Sequence, residues 1–164
     1  MPQLNRHLSR YALLPARAVR LALSEPASAL LAARMGAWVV ALSLLVRVMP
    51  LPRALRLVAP GHALLHDEVK ARTVEEAERV EARLARLLDS VLAANFWVFT
   101  PTCWKRAPVL HRYLALSGIR TRILFGVRRD GDEVLNGHAW LEADGEPLLE
   151  QTPPRYKVTY SFPS

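Results

Sequence analysis

Two residues in this chain have the types needed to break an acyl bond together: Cys103, the only cysteine, and His138. A thiol becomes a strong nucleophile when its proton is shared with an imidazole. The imidazole in turn needs an acceptor that fixes its tautomer. Cys103 stands in Thr102-Cys103-Trp104-Lys105-Arg106, where Thr102 suits a helix N-cap and Cys103 falls in the first helical turn. Unpaired amides and the positive end of the helix dipole favour a thiolate there. Lys105 and Arg106 add positive charge nearby, which also lowers a thiol pKa. The competing reading is a buried, inert cysteine. His138 lies in Gly137-His138-Ala139-Trp140-Leu141-Glu142, between two small residues that leave room for a partner at the ring.

The elements that would position these residues follow from periodicity. Residues 5–22 and 27–48 read as helices, with Pro26 at a helix start and Pro50 and Pro52 ending the second. Residues 53–70 are mixed. Thr73-Val74-Glu75-Glu76 is a capping-box pattern, opening a helix to about Ala94. The helix begun at Cys103 runs to about Ser117, with Gly118 as its C-cap and Pro108 expected to bend it. From Arg122 the period becomes that of strands, with turns at 129–132 and 143–145. Strands are expected at 122–127, 135–142, 147–151 and 156–162. Helices first and an antiparallel sheet last make an α+β fold. The expected division is a basic, apolar helical region over 1–60 and a catalytic core over 61–164.

Length and composition agree with one ordinary globular domain: 164 residues, 51% hydrophobic and 23% charged. A single cysteine excludes an intramolecular disulfide and suits a reducing, cytoplasmic setting. The net charge of +7 is localised, because residues 1–60 carry eight arginines against one acid, Glu25. Such a face suits an acidic peptide, a partner protein, weak peripheral contact with a membrane surface or nucleic acid, and equally an ordinary solvated helix face. Within residues 1–60 the longest uncharged run, Met35 to Val46, is shorter than the roughly 20 residues of a membrane span. His62 and His66, with Asp67 and Glu68, have metal-ligand spacing but no evident third ligand, so no metal is expected. His111, eight residues after Cys103 on the same helix, lies about 12 Å along it, too far to serve as the base. Trp104 and Trp140 suit either a peptide groove or core packing, the latter being the expectation.

Cys103-Trp104-Lys105-Arg106, then Gly118 through Arg128, then His138-Ala139-Trp140-Leu141-Glu142-Ala143-Asp144-Gly145, form an ordered series. Over residues 73–162 it resembles the leader peptidases of lasso-peptide biosynthesis, a transglutaminase-like cysteine protease family. The resemblance implies a Cys-His-acid triad that removes the leader from a ribosomally made precursor, before a separate ATP-dependent cyclase closes the ring. Carried over by position, the nucleophile is Cys103, the base His138 and the acid Glu150, where the family usually has Asp. It implies no cofactor and no nucleic-acid partner. Fused relatives begin with a winged-helix-like leader-binding domain, whose strand signals residues 1–60 lack. A separate leader-binding protein (a precursor recognition element) is therefore expected. The alternatives are acyl transfer in another peptide-modification pathway and a binding or adaptor module that has lost catalysis.

Glu150 makes a demand on the hairpin. A two-residue Asp144-Gly145 turn pairs Ala143 with Glu146 and sets His138 opposite Gln151, sending Glu150 to the other face. A three-residue loop pairs Glu142 with Glu146 and sets Glu150 opposite His138, about 5 Å between Cβ atoms. Because faces alternate, the chemistry requires the second register. The expectation is the three-residue loop, with Glu150 at one nitrogen of His138 and the Cys103 sulfur at the other.

Overall fold

The computed structural model describes residues 25–61, 73–94, 98–130, 134–150 and 154–163. The expected helix at 5–22 and the His62, His66, Asp67 and Glu68 group lie outside them. Among the described residues, four helices precede four strands. They are α1 (Pro26–Val48), α2 (Leu51–Val58), α3 (Val74–Leu92), α4 (Cys103–Leu116), β1 (Arg122–Asp130), β2 (Val134–Ala143), β3 (Glu146–Leu148) and β4 (Lys157–Phe162). The strands form one antiparallel sheet in the order β3-β2-β1-β4. The fold is α+β.

Local chemistry accounts for the helix ends. Pro26 occupies the first turn of α1, where its missing N–H costs nothing. Thr73 and Glu76 close a full capping box on α3: Glu76 N donates to Thr73 Oγ1 at 3.3 Å and Thr73 N to Glu76 Oε2 at 3.2 Å. At the end of α4, Gly118 turns left-handed with φ 78°. Gly118 N then donates to Ala115 O, and Ile119 N to Leu114 O, each at 2.9 Å. Pro108 removes one ladder bond inside α4, yet the helix runs on from Cys103 to Leu116.

One aliphatic core joins all four helices to one face of the sheet. Met35, Val39 and Leu42 of α1 and Leu55 and Val58 of α2 pack with Leu88 and Leu92 of α3 and Leu110 and Leu114 of α4. Ile123, Ala139 and Leu141 supply the sheet side. The core therefore crosses the division expected near residue 60. By length and composition α1 could cross a membrane, since over its 23 residues only Arg34 and Arg47 are charged. Here one of its faces is wholly buried in the protein core.

Polar links tie the helices together. Arg106 forks onto Asp89 at 2.7 and 3.2 Å, joining the start of α4 to α3. Arg112 donates to Val58 O at 2.6 Å and lies 4.0 Å over the Trp38 ring, joining α4 to α2 and α1.

The β2–β3 hairpin departs from expectation. Ala143 pairs with Glu146, Glu142 with Pro147 and Leu141 with Leu148. The turn has two residues, Asp144 at φ 50° and Gly145 at φ 86°, both left-handed as a type I′ turn requires. An Asp-Gly pair is the sequence that adopts this turn most readily, and its twist matches the strands it joins. The three-residue loop is thus not formed. β3 is also short, ending at Leu148 rather than reaching Gln151.

Candidate active site

Cys103 opens α4 and His138 lies within β2, and both line one cavity of about 300 Å³. Trp104, Phe125, Gly126, Val127, Gly137, Ala139 and Thr159 complete the lining. The walls are mostly apolar, and the thiol and the imidazole are the only lining side chains that can carry a charge. Cys103 is half-buried and its thiol is free. The helix start is less strongly capped than the sequence implies. Thr102 takes the N-cap position and its carbonyl accepts from the amides of Lys105 and Arg106, both at 3.1 Å. Its hydroxyl makes no capping bond and is buried without a partner among the described residues.

The cations beside Cys103 serve the scaffold. Lys105 is buried and donates from Nζ to Val98 O at 2.8 Å and Thr100 Oγ1 at 2.6 Å. Burial lowers its pKa from the ordinary lysine value. These bonds pin the segment leading into Cys103. Arg106 is occupied by Asp89. The positive charge expected to act on the thiol is therefore spent largely on holding its backbone in place.

His138 is placed by the sheet. Ala139 and Leu141 enter the helical core, so His138 and Trp140 occupy the alternate face of β2. The last β2–β3 pair is Leu141 with Leu148, which leaves His138 three residues past the end of that ladder. Its Nε2 is 3.3 Å from Glu150 Oε2, and both side chains are largely covered. This contact does not come from the hairpin register. The two-residue turn should put Glu150 on the wrong face, but Leu149 adopts a left-handed conformation with φ 59°. That single residue breaks the alternation and returns the following side chain to the histidine. A left-handed leucine is sterically costly, by about 1–2 kcal/mol, so surrounding contacts must hold it.

The sulfur is the unmatched part of the expectation. Among the described residues no hydrogen bond joins Cys103 to His138, although they share the cavity. His111 makes no part of the site. It is buried on α4, its Nδ1 is 2.8 Å from Thr121 Oγ1, and Phe162 meets it edge-on at 6.0 Å. Desolvation lowers its pKa to about 4. No cluster of potential metal ligands occurs among the described residues.

Two residues that sequence reasoning passed over stand at the site. Tyr156, just before β4, has its ring 5.3 Å from that of His138 and 6.2 Å from that of Trp140. Trp140 itself stacks on His138 at 5.9 Å and 13°, so it is both packed and part of the site. Gly126 pairs directly with His138 across β1 and β2. A side chain there would sit 2.7 Å from Tyr156 Cβ and 3.0 Å from the Trp140 ring. A glycine in mid-strand is the sequence signal for such a close approach.

The Transglutaminase-like superfamily family model matches residues 45–161, most of the chain. The chain belongs to the transglutaminase-like superfamily. No curated protein and no solved structure matches it significantly.

Proposed function

We propose that the protein is a cysteine peptidase in which Cys103 is the nucleophile, His138 the base and Glu150 the group that orients the base. The observation that carries this reading is the shared cavity of Cys103 and His138, with a carboxylate already bonded to the far nitrogen of the imidazole. A bond from Nε2–H to Glu150 leaves Nδ1 as the nitrogen that meets the thiol. Thiol and imidazole need not touch before substrate arrives, since catalytic hydrogen bonds commonly tighten in the Michaelis complex. Nδ1 then takes the proton from Cys103 and the thiolate attacks the substrate carbonyl. The first amides of α4 have no intrahelical acceptor and suit the developing oxyanion. The imidazolium protonates the leaving amine, and water hydrolyses the thioester. An amine arriving in place of water would give acyl transfer instead.

The substrate in this reading is the leader of a ribosomally synthesised precursor, as the lasso-peptide resemblance implies, with the ATP-dependent cyclase acting next. Residues 26–58 form two helices spent on the common core, so they do not offer a separate leader-binding module. A distinct leader-binding protein fills that role, docking on the arginine-rich helical side. The test is cleavage of precursor peptide by the purified chain, with and without that partner. Efficient, leader-dependent cleavage by this chain alone would overturn the partner. A Cys103→Ala variant that still cleaves would overturn the peptidase assignment.

A further inference from the structure

We propose that Tyr156 is a positioning residue for His138, seated by the absence of a side chain at Gly126. The proposal rests on the reading of His138 as the base and adds a residue to it. Three rings, His138, Trp140 and Tyr156, form a triangle with centroid separations of 5.9, 5.3 and 6.2 Å. Trp140 and His138 are on the same strand and face, so their stacking follows from β2 alone. Tyr156 comes from a different part of the chain and meets both. It limits the rotation of the imidazole that Trp140 by itself would permit. The Arg128 guanidinium lies 4.9 Å over the Tyr156 ring and holds it from another side.

Gly126 makes this approach possible. A Cβ there would meet the Cβ of Tyr156, an atom that cannot swing away without moving the backbone. β4 also shifts register against β1 between Phe125 and Gly126, and Thr159 Oγ1 donates to Phe125 O at 3.1 Å across that bulge. The irregularity, at Thr159, lies three residues from Tyr156 and helps set where β4 begins. Tyr156 therefore acts through the ring of His138: it keeps Nε2 on Glu150, which leaves Nδ1 as the nitrogen available to the thiol. It has no bond to make or break itself.

The test uses the full chain and iodoacetamide as the probe of Cys103, with the tautomer of His138 read by heteronuclear NMR. Tyr156→Ala should slow alkylation at neutral pH by about tenfold, as a misplaced catalytic group does. The same variant should raise the fraction of His138 carrying its proton on Nδ1. Tyr156→Phe should restore most of the rate and the wild-type tautomer, because the ring and not the hydroxyl does the positioning. Gly126→Ala, which displaces Tyr156 without removing it, should move both readouts in the direction of Tyr156→Ala and serves if that variant fails to fold. An unchanged tautomer and alkylation rate in folded Tyr156→Ala or Gly126→Ala would overturn the proposal, leaving Tyr156 as packing only. If Cys103 is inert in the wild-type chain, the peptidase reading fails, while the tautomer still decides the role of Tyr156.

Discussion

His111 and His138 lie in regions of opposite character, and the contrast shows what separates a scaffold histidine from a candidate base. His111 is on the same helix as Cys103 but sinks into the interior, where a threonine hydroxyl and the edge of a phenylalanine ring are its partners. Burial pushes its pKa to about 4, so it stays neutral at physiological pH and has no route to the thiol. His138 lies on a strand, past the end of a neighbouring ladder, with a carboxylate at one nitrogen and a cavity shared with the cysteine. Closeness in sequence placed the first histidine in the scaffold. Closeness in space placed the second at the site.

The strongest way to break this comparison is to remove the proposed reacting groups. Cys103→Ala and His138→Ala should each lower cleavage by more than about a thousandfold, while melting temperatures stay close to wild type. Residual activity above that level would mean another nucleophile or base. His111→Ala should do the reverse, costing stability and leaving the alkylation rate of Cys103 in the folded protein close to wild type.

The buried histidine also predicts an acid sensitivity. Its folded pKa of about 4 lies below the ordinary 6.5, so the unfolded chain binds the extra proton first. Stability is then complete above about pH 6.5 and falls as pH drops toward 4, by about 3 kcal/mol in total. Denaturant titrations at pH 7.5 and 4.5 should show the loss, and His111→Gln should flatten it. An equal slope in the variant would assign the acid sensitivity to other groups.

Glu150 sharpens the comparison from the other side. Glu150→Ala should reduce cleavage about tenfold to a hundredfold, less than loss of His138, because a partner that orients a base contributes less than the base. Glu150→Asp should retain part of the activity. The smallest effect belongs to Leu149. Leu149→Gly should keep the carboxylate in place and relieve left-handed strain, raising stability by about 1 kcal/mol or less, offset by added freedom in the unfolded chain. Leu149→Val, which resists that conformation, should lower activity by moving Glu150 off His138. Equal activity in the two variants would remove Leu149 from the account.

Elements governed by neighbours in the chain were legible in the sequence. The capping box at Thr73 and Glu76, the helix opened at Cys103 and the glycine cap at Gly118 all form as short-range hydrogen bonding and steric preference dictate. The two-residue Asp144-Gly145 turn forms by the same local preference, against the three-residue loop expected from the need to face Glu150 toward His138. The proposed nucleophile and base, Cys103 and His138, were legible as candidates because few residue types can do that chemistry. Contacts between distant segments were not legible. That Arg106 and Lys105 serve the scaffold was decided by Asp89 and the Val98–Thr100 segment, which claim them. Glu150 was expected at His138, but its route there was not legible: one left-handed leucine brings it back, a conformation that only surrounding packing can impose. Tyr156 reaches the site because Gly126, thirty residues earlier, leaves space for it. Local patterns are written in adjacent residues and act before the chain folds. The orientation of a side chain at a site depends on atoms brought together only by the completed sheet, and a one-residue change of conformation is enough to redirect it.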